Sequence, residues 1–106
     1  GAIVVTGATA SLRGGARFAA FASAKAAQRS LAESLARQLG RENIHVAVVI
    51  LDGVVDTPRT REMLPDRPDD RFLSPDDIAE SVHFLVHQPR SAWTFELDLR
   101  PFSEEW

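Results

Sequence analysis

Apolar positions in the first half of the chain follow two patterns with a helical stretch between them. Ala2-Ile3-Val4-Val5 and Ile44-His45-Val46-Ala47-Val48-Val49-Ile50-Leu51 are nearly unbroken runs rich in β-branched residues. Such runs predict strands buried on both faces, as in a parallel sheet. Thr6 to Gly15, small and hydroxylated and then glycine-rich, reads as a loop at the C-terminal end of the first strand. From Phe18 to Leu39 the residues are good helix formers, mostly Ala, Leu, Lys, Gln, Glu and Arg. Ala27, Leu31, Leu35 and Leu39 recur at four-residue steps, widened by Ala24 and Ser34, and predict the buried stripe of a helix. Gly40 is placed to take the left-handed conformation that stops it. A helix between two such strands is a βαβ unit, with a right-handed crossover expected.

The second half is more broken. Asp52 to Leu73 reads as a long loop containing Pro58, Pro65 and Pro68, with a helical turn near Thr60 to Leu64. Ser74-Pro75-Asp76-Asp77 is a helix start: a capping hydroxyl, a proline at the first helical position, and two carboxylates at the positive end of the dipole. Ile78, Val82 and Leu85 give the buried stripe, and Pro89 ends the helix. Trp93 to Leu99 alternates apolar and polar residues, which predicts a strand with one buried face at a sheet edge. Phe102 to Trp106 is a tail. The order β-α-β-loop-α-β predicts an α/β layer with a mostly parallel sheet.

Composition narrows the function classes. With 106 residues the chain is one domain at most, and a hydrophobic fraction of 44% supports a packed core. A net charge of −3 gives no pull toward nucleic acid or an anionic membrane surface. No apolar run approaches the roughly 20 residues of a membrane span. The absence of cysteine excludes a disulfide framework, a thiolate metal site and a cysteine nucleophile, and fits a cytoplasmic, reducing location. The chain opens on Gly1 rather than Met and carries no basic leader, so it is expected to be a piece of something longer rather than to start with a signal peptide.

Ligands of open parallel sheets sit off the C-terminal strand ends. Thr6 to Gly15 and Asp52 to Thr57 leave those ends here. Some residues elsewhere invite chemistry and have plainer readings. His83 and His87 have chelating spacing but no third ligand nearby, so no metal site is expected. Asp66, Asp69, Asp70, Asp76 and Asp77 lack the pattern of a calcium loop. Trp93, Phe95 and Phe102 read as core or subunit contact. Asp52-Gly53 has the composition of an ordinary turn.

Phe21-Ala22-Ser23-Ala24-Lys25 has the shape of the Tyr-x-x-x-Lys signature of the short-chain dehydrogenases/reductases, with Phe in place of Tyr. The preceding strand and small-residue loop, and the Ala-rich helix ending in Leu-Ala-Arg-Gln-Leu-Gly, resemble that family's active-site strand and helix. Asp52-Gly53-Val54-Val55-Asp56-Thr57 is similar to its Pro-Gly-x-Val-x-Thr loop, and Ser74 to Ala79 to the start of its last long helix. The resemblance covers nearly the whole chain, in order. It implies the C-terminal half of a doubly wound, Rossmann-like sheet, with the N-terminal Gly-rich half absent from residues 1–106.

The resemblance implies an oxidoreductase that moves a hydride between NAD or NADP and a small alcohol or carbonyl compound. Cofactor binding is then expected of the complete protein only. In that family the tyrosine is the general acid/base and the lysine holds the nicotinamide ribose and lowers the tyrosine pKa. The tyrosine position falls on Phe21, and the serine position, thirteen residues earlier, on Ala8. This resembles an atypical branch that has Phe for Tyr and keeps Lys. Lys25, Gly53, Val55 and Thr57 fall on cofactor-binding positions, and Thr9 is the first candidate for a substitute hydroxyl. The proline of the Pro-Gly loop falls on Asp52. The double replacement also leaves an alternative, a catalytically inert nucleotide-binding or scaffold protein. A flavodoxin-like domain would need a better phosphate loop than Gly7 to Gly15. The expected partners are the dinucleotide, a small-molecule substrate, and either a second copy, as homodimer or homotetramer, or the missing half. The last helix and strand, Val82 to Val86 with Trp93 to Leu99, match a family subunit interface.

Overall fold

The computed structural model describes residues 1–106. In chain order the elements are β1 (Ala2–Ala8), α1 (Ala19–Leu39), β2 (His45–Leu51), β3 (Val54–Val55), α2 (Pro58–Met63), β4 (Phe72–Leu73), α3 (Pro75–Val86) and β5 (Glu96–Leu99). β2 lies between β1 and β5 and runs parallel to both. Its residues His45 to Ile50 are all buried. Alternation along the strand divides them between two helices. Val46, Val48 and Ile50 pack with Ala32, Leu35, Ala36 and Leu39 of α1 and with Val5. Ala47 and Val49 pack with Leu85 and Val82 of α3 and with Val4, Leu97 and Leu99. The chain is therefore a helix–sheet–helix sandwich with the parallel sheet that the β-α-β-loop-α-β order predicts.

Several local expectations are corrected. The first strand runs on to Ala8, so Thr6, Gly7 and Ala8 are strand rather than loop. It is not buried on both faces: Ile3 is 42% exposed, because β1 is an edge with no strand beyond it. The buried side of α1 is Ala22, Ala32, Leu35, Ala36 and Leu39, while Ala27 is exposed and Leu31 is 60% exposed. Alanines occur around the whole helix, so the four-residue ladder did not mark the core face uniquely. Gly40 remains right-handed helical and its N–H still donates to the Ala36 carbonyl. The left-handed residue is Asn43, at φ 63°, after a short 3-10 turn. Asn takes that conformation at lower cost than most side chains, and Ile44 N–H then closes on the Leu39 carbonyl.

The segment 52–73 is more ordered than a loop. β3 and β4 pair in parallel as a two-stranded sheet, with α2 between them. Ser74 caps α3, its Oγ accepting from Asp77 N–H at 3.4 Å, as the Ser-Pro-Asp-Asp start predicts. The last strand is an edge, as expected, but begins only at Glu96. Trp93 instead stacks on buried His45 with ring centres 4.7 Å apart. Phe95 joins the α1 side of the core, whereas Leu97 and Leu99 join the α3 side, so the alternation does not define one buried face. Glu96 turns toward α1 and is paired with Arg29.

Candidate functional site

Two parallel strands end side by side, with Ala8 paired to Leu51. The chain leaves β1 through a 3-10 turn, Thr9–Ser11, tied back by Ala8 N–H donating to Ser11 Oγ at 3.0 Å. Gly7 allows this packing, since a Cβ there would stand 2.7 Å from Ile50 Cδ1. The loop through Gly14 and Gly15 then brings the first turn of α1 over the strand ends. Between them is a cleft of about 350 Å³, lined by Ala8, Thr9, Arg13, Phe18, Phe21 and Gly53 among others.

The structure thus brings together four of the residues singled out in the sequence: Ala8, Thr9, Phe21 and Gly53. Phe21 is 50% exposed and so is a wall of the cleft rather than core. Lys25 lies one turn further along the same helix face. Its Nζ donates to the Thr6 carbonyl at 3.0 Å and to Gln28 Oε1 at 3.1 Å, which ties α1 to β1 and leaves one ammonium hydrogen free. Val55 and Thr57 lie apart from the cleft, in a hydrogen-bonded turn. Thr57 Oγ1 accepts from Thr60 N–H at 3.1 Å and Thr60 Oγ1 accepts from Thr57 N–H at 3.0 Å. Thr60 Oγ1 donates to the Val55 carbonyl at 2.6 Å, so the hydrogen between the two threonine hydroxyls comes from Thr57. Thr57 is thereby the N-cap of α2 with its one hydroxyl hydrogen in use.

Gly53, besides lining the cleft, has a packing role. A Cβ at this position would stand 2.8 Å from Pro101 Cδ, so glycine here lets the segment after β5 seat against the end of β2.

The residue that sequence reasoning passed over is Asp52, taken as half of a turn pair. Its side chain is only 5% exposed. Thr9 Oγ1 donates to its Oδ1 at 2.6 Å. Arg13 Nη2 reaches Oδ1 and Oδ2 at 3.3 and 3.2 Å, and Arg100 Nε reaches Oδ2 at 3.3 Å. The Thr9 hydroxyl, and with it the two guanidinium groups, hold the Asp52 carboxyl below the usual carboxylate range. Asp52 is therefore a buried, ionised and fully partnered carboxylate. An apolar strand running into Asp at its end was the available signal, but its partners are 39 to 48 residues distant in sequence.

The His83 and His87 rings lie 4.2 Å apart, tilted by 32°, His87 Nδ1 is bonded to the His83 carbonyl, and no group of three His, Asp or Glu side chains placed to hold a metal ion occurs in the chain. No helix is long and apolar enough to cross a membrane.

The parallel sheet with helices on both faces defines a Rossmann-like α/β class of protein. The enoyl-(acyl carrier protein) reductase family model matches residues 1–96, and the chain belongs to the short-chain dehydrogenases/reductases. It is 32% identical over 81 residues to an uncharacterised oxidoreductase of Staphylococcus aureus, covering 76% of this chain and 34% of that protein. A short-chain dehydrogenase structure from Rhodopseudomonas palustris is 46% identical with a TM-score of 0.73, over 96% of this chain and 39% of the other. An alcohol dehydrogenase from Thermococcus sibiricus, complexed with 5-hydroxy-NADP, shares the fold at 23% identity and a TM-score of 0.77, over 99% of this chain and 43% of its own. The chain spans little more than a third of the length of the first two relatives.

Proposed function

We propose that this chain supplies the nicotinamide end and the substrate cleft of an NAD(P)-linked oxidoreductase acting on small alcohols and carbonyl compounds. The observation that carries the reading is the convergence of Ala8, Thr9, Phe21 and Gly53 on one cleft at the strand ends, with Lys25 next along the same helix face. The residues fit that end of the cofactor. Lys25 keeps a free ammonium hydrogen for a ribose hydroxyl. The aromatic wall and small floor of the cleft suit a flat ring. The volume, about 350 Å³, lies at the low end for small-molecule sites and does not hold a whole dinucleotide. Pyrophosphate is bound elsewhere in such folds, by a Gly-rich turn at a helix N-terminus. The Arg13 loop and the Phe18 start of α1 do not form one. A bound nicotinamide would supply the hydride chemistry, with Lys25 placed to hold its ribose and Ala8, Phe18 and Phe21 to shape the cleft around it.

Proton transfer is the weak point of this site. Phe21 and Ala8 have no hydroxyl. Thr9 has one, but its hydrogen points at Asp52, and Asp52 is ionised. Thr9 therefore presents oxygen lone pairs to the cleft and acts as acceptor, not donor. Asp52, held below the ordinary carboxylate range, is a poor proton store. These features support the second reading, a family member that binds nucleotide and has lost fast chemistry. Steady-state NADH and NADPH oxidation by the protein at its natural full length, over a panel of small aldehydes and ketones, separates them. Measurable turnover supports the first reading. Dinucleotide binding by calorimetry without turnover supports the second, and neither binding nor turnover overturns both.

A further inference from the structure

The cleft has an uneven distribution of polar groups that points to a substrate class. Among its lining residues Arg13 carries the single charge and Thr9 the single hydroxyl; the others are apolar side chains or glycines. Arg13 uses only Nη2, on Asp52, so Nε and Nη1 have no partner in the protein. Its side chain is 48% exposed, which leaves those donors available. Burial of Asp52 and its second guanidinium, Arg100, keep the carboxylate in place as an anchor for Arg13. Thr9 is held by the same carboxylate oxygen, Oδ1, so the guanidinium and the threonine oxygen are close neighbours. One offers donors with positive charge, the other offers an acceptor.

We infer that the cleft takes a short hydroxy acid, Arg13 binding its carboxylate and Thr9 Oγ1 accepting from its hydroxyl. The guanidinium fork matches a carboxylate in geometry and charge. A cationic donor and an acceptor side by side call for a carboxylate and a hydroxyl on the same or neighbouring carbons. Phe18 and Phe21, both half exposed, provide walls for a short alkyl group. A phosphate dianion is a poorer match, because the second cation, Arg100, is already committed to Asp52, Asp98 and the Trp106 ring. The inference rests on the oxidoreductase reading for its biological sense, but the binding it describes is measurable alone.

The test is calorimetric titration of the full-length protein, with NAD or NADP present, using 2-hydroxybutyrate, 3-hydroxybutyrate and the neutral 1,2-butanediol and 1,3-butanediol as probes. At least one acid binds about ten- to a hundredfold more tightly than its diol, the range expected of a charge-assisted pair. Arg13→Met brings that ratio close to one and Arg13→Lys leaves an intermediate value. Equal binding of acid and diol by the unaltered protein overturns the inference whether or not any variant folds. So does a ratio that survives Arg13→Met. NAD(P)H formation from neutral alcohols with no preference for the acids overturns it while leaving the oxidoreductase reading intact. Selective acid binding with no turnover supports it and removes the oxidoreductase reading instead.

Discussion

Thr9 and Asp52, 43 residues apart in sequence, are joined by a 2.6 Å hydrogen bond at the ends of two adjacent parallel strands. The bond sets the direction of the hydroxyl and, with the two arginines, the ionisation of the carboxylate.

The pH dependence of stability follows from this. Asp52 has a lowered pKa in the fold, first because of Thr9 and then because of Arg13 and Arg100. A carboxylate with a depressed folded value adds stability above its ordinary range and loses it as the pH falls through the folded value. The urea midpoint should therefore be level near neutrality and decline below about pH 4. Asp52→Asn should lower the neutral plateau by about 1–3 kcal/mol and flatten the acid decline. An acid limb of unchanged steepness in Asp52→Asn would show that Asp52 is not its source.

Gly53→Ala should destabilise through Pro101, which leaves 2.8 Å for the new methyl group. Pro101 is buried and its ring is stiff, so the cost should be about 1–3 kcal/mol, as for other overpacked sites. Chemical denaturation measures it. A neutral effect would mean that the segment after β5 shifts freely.

Asn43 is the left-handed link between α1 and β2. Asn43→Gly should leave stability unchanged or raise it slightly, whereas Asn43→Val should cost about 1–2 kcal/mol. The order of the two melting temperatures is the readout.

Restoring hydroxyls tests what limits the chemistry. Phe21→Tyr with Ala8→Ser should raise turnover of a small ketone or hydroxy acid by about 10²-fold or more, the usual worth of a positioned acid/base. The two gains should not multiply, because both groups act on one substrate oxygen. Lys25→Met should raise the KM for NAD(P)H with a smaller change in kcat. A double variant no faster than the unaltered protein would place the limiting step outside proton transfer.

The main helices and strands and their order were legible because they depend on neighbours along the chain, whereas the β3–β4 pair was not, because its two strands meet across the α2 segment. The apolar run at Ile44 to Leu51, the helix formers from Phe18 to Leu39 and the Ser74-Pro75 start each carry their own local physics. The Phe21 and Lys25 pair was legible as a spacing, whereas the cleft that Phe21 shares with Ala8 and Thr9 is formed only by the fold. The buried face of α1 was not, since an alanine-rich helix has low-volume surface all round and the sheet chooses which side to cover. The partial exposure of β1 was not either, because a strand's burial depends on what pairs at its open edge. Asp52 is the sharpest case. Beside Gly53 it has the composition of a turn, and only the approach of Thr9, Arg13 and Arg100 from three distant segments makes it a buried ionised anchor. Local propensity acts over a few residues, whereas desolvation and ion pairing act through space between whatever the fold brings together.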